Sequence, residues 1–513
     1  MTDAVVIGAG HNGLVCATLL AQAGMQVVCV EQADQPGGLA RRRVLGDCQV
    51  PMAHAAFPPG PELVRELRLD AVGFQPGPTL DTIALGREGQ HLTFSGDEVS
   101  GAALKDSDRE AYRQFRQAYA RFGAALRPLL LSPPPRLKNL PGADLKALVR
   151  LAWRLRFGLG REQLGEFLRV VGANMRDVLE DHFENPQLRG ALAADAVRGH
   201  SAGPYAPGTV WTWLLRVIDS LDGPLSALAA DELIRCLPKA AENAGVDLRL
   251  ASPVANIAVA DNQARGITLA DGSTIEADHV VSSADPITTL SRLVGAPQLD
   301  AMFAHRVAQI RSAGAVARVH LVLSEAPTFT GLSDANLDHR LVFAPSVRAL
   351  ERAYNPIKYG AFSDEPALEI VFPTRHQPEL APAGQTVLSA NVMYVPYRLK
   401  GGWTDARRGE LLDRVLKLLD SLAPGLSQSV LSSECLTPAD IESIYGVTGG
   451  HWHQGEVSLH QSLMLRPVYG AAQYATPVAG LYLCGAGCHP GGGVTGWPGR
   501  NAARQLLKRR GAA

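Results

Sequence analysis

At 513 residues with 46% hydrophobic content, the chain is long enough for two or three domains with well-buried cores, which excludes a mostly disordered protein. Its 49 basic and 50 acidic residues balance, so no global field draws in nucleic acid or another polyanion, and any attraction to a membrane must be local. No apolar run reaches the roughly 18 uninterrupted residues of a transmembrane helix.

Ala4-Val5-Val6-Ile7 reads as a buried strand that ends in Gly8-Ala9-Gly10-His11-Asn12-Gly13 before a helix-like stretch. The G-x-G-x-x-G spacing therefore stands in the strand, turn and helix context that a dinucleotide needs. Gly8 permits the tight turn, Gly10 lets backbone approach a pyrophosphate, and Gly13 lets the helix pack close to the sheet. The helix N-terminus then offers amides and the positive end of its dipole to phosphates. Met25 to Val30 is the predicted second strand, closed by Glu31, 18 residues after Gly13. A carboxylate there accepts both ribose hydroxyls of an adenosine and repels a 2′-phosphate, which favours FAD or NAD over NADP. A first strand starting at Ala4 leaves no room for a secretory leader, so an unprocessed cytoplasmic protein is expected, with peripheral membrane contact left open.

The segment 76–227 is predicted to be helix-rich, with helices from Arg109 to Leu131 and Leu145 to Val171 around Ser132-Pro133-Pro134-Pro135. From about Leu228 to Pro286 a helix to Gly245 precedes a strand at Asp247 to Leu250 and a β-meander over Pro253 to Ala260, Ala264 to Ala270 and, after a turn at Asp271-Gly272, Thr274 to Ala277 and a separate strand Val280-Val281. Strands at Val316 to Leu323, Ala367 to Phe372 and Thr386 to Tyr397, then a helix from Asp405 to Leu422, fill 287–445. Near the C-terminus, Gly480-Leu481-Tyr482-Leu483-Cys484 is a short strand, followed by the glycine-rich loop Gly485 to Val494 and a helix from Thr495 to Lys508. Glycines ahead of a helix let backbone amides come close to a ligand, so one nucleotide site is expected to be assembled from both ends of the chain. The expected domains are a discontinuous nucleotide domain of 1–75, 228–286 and 446–513 and a substrate domain of 76–227 and 287–445.

Seven scattered cysteines suit reduced thiols. Cys484 and Cys488 are the one close pair, and without a second ligand pair they do not read as a metal site. His451, His453 and His460 lack metal-ligand spacing as well, so no metal is expected.

The split arrangement resembles the glutathione-reductase-like flavoproteins of the amine-oxidase and phytoene-desaturase group. Leu465-Arg466-Pro467, Tyr474-Ala475-Thr476-Pro477, Gly480 to Gly487, His489-Pro490-Gly491-Gly492-Gly493-Val494 and Gly499-Arg500-Asn501-Ala502-Ala503 are similar to the phytoene-dehydrogenase-related family, which includes carotenoid ketolases. The resemblance covers the nucleotide domain well and the substrate domain loosely. It implies an α/β fold with a Rossmann-type FAD domain and an inserted α+β substrate domain. It implies FAD held at Gly8, Gly10, Asn12 and Gly13, with Glu31 on the ribose and Gly37, Gly38 and Arg41 along the pyrophosphate and ribityl path. Val254 would meet the adenine, and Gly485, Ala486, Gly487, Gly492, Gly493 and Val494 would face the ribityl chain and flavin. Ala486 stands where many of these flavoproteins carry Asp, which leaves backbone contacts there.

Disulfide-reductase chemistry is not expected, because no cysteine pair follows the first motif and no second glycine fingerprint for NAD(P)H follows a predicted strand. The reading is an FAD-dependent desaturase or dehydrogenase of a largely apolar, isoprenoid-like small molecule, passing electrons to oxygen, a quinone or another acceptor. Amine oxidation, carotenoid ketolation and a flavin-binding interaction protein with little turnover are the alternatives. His489 in the flavin loop, Arg466 and His200 are the catalytic candidates, each set against a structural role. Leu145 to Phe157 mixes aliphatics with Arg150, Arg154 and Arg156, as a lid helix or a helix lying on anionic lipid does.

Overall fold

The computed structural model describes residues 2–136 and 142–511. At its centre the strand Thr2–Ile7 lies between Val27–Val30 and Thr274–Ser282, parallel to both, and Asp247–Arg249 and Leu481–Leu483 extend the parallel layer on either side. Val5, Val6, Val28, Val280 and Val281 are buried, as β-branched residues in a sheet covered on both faces should be. The meander joins this layer through Thr274–Ser282. Its first half pairs antiparallel with Gln263–Leu269, which pairs with Val254–Ala260, and its second half runs parallel to Thr2–Ile7 and Leu481–Leu483. Thr274 to Ala277 and Val280-Val281 are thus one strand and not two.

The helices His11–Gln22 and Trp497–Arg510 pack against each other across the ends of the chain. Their approach depends on missing side chains. A Cβ on Gly13 would fall within the radius of the Gly8 carbonyl oxygen, and one on Gly499 within that of the Asn12 carbonyl oxygen. The third glycine of the fingerprint therefore has the packing role its spacing predicts.

The second sheet has eight strands in the order Val430–Leu436, Val316–Leu323, Thr386–Met393, Leu368–Val371, Arg340–Phe343, Thr82–Ala84, Leu92–Ser95, Glu98–Ser100. Only Arg340–Phe343 and Thr82–Ala84 pair in parallel, and that pair stitches two distant stretches of chain into one sheet. Because side chains alternate across a strand, one face carries Val319, Leu321, Leu341, Ile370, Leu388 and Ala390. These pack with Leu411, Val415 and Leu419 of the helix Asp405–Leu422. The opposite face carries Arg318, His320, Arg340, Glu369, Ser389 and Asn391, all buried.

The α/β architecture with mixed sheets is the expected one. The helix expected from Leu145 to Val171 is divided: Gly142–Trp153 passes into a π turn at Arg154–Gly158, and Gly160–Val170 begins at a residue with φ +75°. The short strands 82–84, 92–95, 98–100 and 340–343 were not predicted, since three or four residues show no readable period. Replacing Gly499 by Val should lower unfolding free energy by about 1–3 kcal/mol through overpacking. Gly409→Ala, where nothing lies within 4 Å of the added Cβ in a helix, should raise it by up to about 1 kcal/mol. Urea unfolding of the two variants checks the pair.

Candidate cofactor and substrate site

Backbone hydrogen bonds shape the dinucleotide end. The Gly8 amide donates to Val30 O at 2.7 Å and the Gly37 amide to Ala9 O at 2.9 Å, which folds residues 37–38 over the first turn. Glu31 is buried, and its carboxylate accepts from the Ala9 amide at 2.7 Å and the Ala33 amide at 3.1 Å. Ser283 donates to the Ile7 and Gly8 carbonyls, both at 2.9 Å, and so ties the turn to the strand Thr274–Ser282. A cavity of about 440 Å³ opens from this turn and runs into the space under the second sheet. That volume is of the size that holds a cofactor or substrate.

Most predicted contact residues line this one cavity. Gly8, Gly10, Asn12, Glu31, Gly37, Gly38 and Val254 form its nucleotide end, and Ala486, Gly492, Gly493 and Val494 bring the C-terminal loop to the same space. Gly13, Arg41, Gly485 and Gly487 do not line it. Gly13 packs helix on sheet; Arg41 lies 5.1 Å from the Tyr445 ring and donates to Ile444 O. Gly485 and Gly487 pack behind the wall, where Gln454 Oε1 accepts from the Gly487 amide. Among the buried polar atoms of cavity-lining residues without a protein partner are His11 Nε2, Asn12 Oδ1 and His453 Nδ1 at the dinucleotide end, and a polar ligand would supply one. A Cβ on Gly492 would collide with His453. The residues present therefore fit a dinucleotide.

The three catalytic candidates separate. His200 lines the cavity, with Nδ1 2.5 Å from Glu456 Oε1 and its ring stacked 5.6 Å from His453. Burial pushes the Glu456 carboxyl up, but His200 and His451 beside it hold it well below the usual range. His489 does not reach the cavity. It is fully buried, its Nε2 lies 3.0 Å from Leu129 O, and burial takes its imidazole down to about 4. A neutral imidazole on that carbonyl fixes the helix end that carries Leu130 and Leu131 to the cavity wall. Arg466 is also fully buried, and donates to the carbonyls of His453, Glu456, Ala486 and Cys488 at 2.7–3.2 Å. The expectation of direct chemistry at His489 and Arg466 is thus corrected: both are held by backbone carbonyls behind the wall and position the loop.

Sequence reasoning missed the far wall of the cavity. Adjacent strands place Arg318 opposite Asn391 and Asn391 opposite Glu369, and the side chains join: Arg318 Nη1 donates to Asn391 Oδ1 at 2.7 Å, and Asn391 Nδ2 to Glu369 Oε2 at 2.8 Å. Arg198 Nε donates to the same carboxylate at 2.6 Å, and Arg340 bridges Glu369 and Asp195, which Arg216 also pairs. Burial pushes Glu369 up, but Arg198 and Arg340 keep it well below the usual carboxylate range. Burial also brings Arg216 and Arg318 down to about 10. Asp219, one turn beyond Arg216, faces the cavity beside Gly493, and burial pushes its carboxyl up to about 7. The readable signal was a charged residue inside a run that is otherwise a buried strand: Arg318 in Val316–Leu323 and Glu369 in Leu368–Val371.

A family model described as flavin containing amine oxidoreductase matches residues 13–507. The chain is 31% identical to pyridine nucleotide-disulfide oxidoreductase domain-containing protein 2 of Mus musculus, over 99% of this chain and 93% of that protein. It is 28% identical to a hydroxyneurosporene desaturase of Cereibacter sphaeroides, over 98% of this chain and 97% of that one. Among solved structures, putrescine oxidase bound to putrescine superposes with a TM-score of 0.62 at 15% identity, covering 100% of this chain and 99% of that chain, which shows a shared fold. Because Glu31 is the one carboxylate at the end of the second strand, Glu31→Gln should weaken flavin retention about tenfold, or about 1.4 kcal/mol. Equilibrium dialysis of the bound flavin measures it.

Proposed function

The chain belongs to the flavin containing amine oxidoreductase family, and on that footing we propose that it removes hydrogen from a C–H bond of a largely apolar organic substrate, as a desaturase or dehydrogenase. The observation that carries this reading is the single cavity that joins the dinucleotide turn to a chamber walled by Met52, Phe57, Leu130, Leu215 and Val371. FAD is the cofactor; Gly8, Gly10, Glu31, Gly37, Gly38, Gly492 and Gly493 would hold it, and it would supply a hydride acceptor whose electrons oxygen, a quinone or another diffusible acceptor would take. In this reading 1–75, 228–286 and 446–513 hold FAD, and 76–227 and 287–445 hold the substrate. Asp219 takes the proton, because its carboxyl faces the cavity beside Gly493 and burial pushes it up to about 7. His200, held by Glu456, lines the same chamber.

The desaturases among the relatives support this reading over amine oxidation. An amine would meet Arg198, Arg216 and Arg318 in the chamber, and the Trp452 ring that an ammonium would use is already covered by Arg198 at 4.9 Å. Entry from a bilayer has a separate support. The helix Gly142–Trp153 and the turn after it expose Leu145, Val149, Trp153 and Phe157, each more than half exposed, on one stripe. Arg150, Arg154 and Arg156 flank it, so an interfacial helix on anionic lipid is proposed. No helix among the described residues is long and apolar enough to cross a membrane.

Under anaerobic conditions a panel of terpenoid and long-chain substrates should bleach the flavin, whereas NADH and NADPH should not. The rate should rise with pH through about 7, because Asp219 acts as a base only when deprotonated, and Asp219→Asn should flatten that rise and slow reduction at least tenfold. Rapid reduction by NADPH alone would overturn the reading. For the helix, co-sedimentation with phosphatidylserine-containing vesicles should fall about fivefold or more in Trp153→Glu, with cofactor content unchanged.

A further inference from the structure

We infer that the substrate is an amphipath with an anionic end, a carboxylate or similar oxyanion, which docks on Arg318 while its apolar body extends along the chamber. The inference rests on the oxidoreductase reading and names the substrate class of the same site.

Arg318 differs from its neighbours in what it lacks. Arg198 and Arg340 are paired with Glu369, and Arg216 and Arg340 with Asp195. Arg318 is only 5% exposed, lines the cavity, and forms no ion pair among the described residues. Its partners are neutral: Asn391 Oδ1 at 2.7 Å and the Pro51 carbonyl at 3.3 Å, while Nε has none. In this bonded group four guanidiniums, Arg198, Arg216, Arg318 and Arg340, share two carboxylates, Glu369 and Asp195, with Asp219 one turn beyond Arg216, and Arg318 is the guanidinium that touches none of them directly. Glu369 reaches Arg318 only through Asn391, so its charge is compensated at a distance and not by direct pairing, and guanidinium does not escape by giving up its proton at neutral pH. Such a group is retained where something else completes it.

A second orphan stands nearby. His54 is 2% exposed, lines the cavity, stacks on His376 at 5.7 Å, and its Nδ1 has no partner. Burial, with His376 and Arg318 beside it, takes it down to about 3, so it is a neutral hydrogen-bonding group beside a charged fork. Guanidinium geometry matches a carboxylate with two parallel donors. An ammonium would be repelled by the same fork, and a neutral headgroup would leave it without a direct counter-charge.

Absorbance titration of the flavin-loaded protein with three chain-matched probes tests the inference: decanoate, 1-decanol and decylamine. Decanoate should bind at least tenfold more tightly than 1-decanol, with decylamine weakest. Arg318→Gln leaves no buried carboxylate unpaired, so it should fold and retain flavin, yet lose the tenfold preference; Arg318→Lys should keep part of it. Equal affinities, a preference for decylamine, no perturbation by any probe, or an Arg318→Gln protein that keeps the preference would overturn the proposal. So would an effect of Arg318→Gln on flavin retention alone. A decanoate preference in a protein whose flavin no C–H substrate reduces would instead count against the oxidoreductase reading and leave anion recognition standing.

Discussion

Everything about the site depends on the strand Thr274–Ser282 pairing in two senses. Its first half closes the meander antiparallel, while its second half lies between Thr2–Ile7 and Leu481–Leu483 in parallel. This strand brings three sequence-distant parts of the chain into one layer. Ser283 follows it directly and hydrogen-bonds the carbonyls of the first glycine turn, and the Cys484 amide donates to Ser282 O where the C-terminal loop begins. The nucleotide turn and the glycine-rich loop therefore face one cavity because both are hung from the same strand end.

The second sheet makes an energetic choice of the opposite kind. One face is an ordinary apolar core, but the other buries arginines, carboxylates and an asparagine that strand register sets side by side. Removing one member of such a pair typically costs roughly 3–5 kcal/mol, because a charge is left buried alone. The wall is consequently rigid and polar, and it confronts an apolar chamber lining. A cavity with one charged wall and one apolar side orients an amphipathic guest lengthwise.

The nucleotide half was legible because its signals are local. A strand, three spaced glycines, a helix and an acid follow one another within 31 residues, and short-range sterics dictate what each does. The glycine-rich loop at 485–494 was readable for the same reason, and Ala486, Gly492, Gly493 and Val494 do line the cavity. Arg318, Asn391 and Glu369 were not legible as a group, because they meet only through pairing between strands tens of residues apart. His489 misled because its place beside Pro490 and the glycines suggested the cavity, whereas burial against Leu129 turned the ring away. Proximity in sequence to a ligand loop says where a backbone runs, not where an imidazole points.

The central sheet also sets an order of events during synthesis. Thr2–Ile7 is made before its partner Thr274–Ser282, which emerges more than 260 residues later, and Leu481–Leu483 follows later still. At the usual 5–20 residues per second the nascent first strand waits on the order of tens of seconds with an unpaired apolar edge. The parallel layer that carries both ends of the cavity is therefore complete only once Leu481–Leu483 has joined Thr274–Ser282.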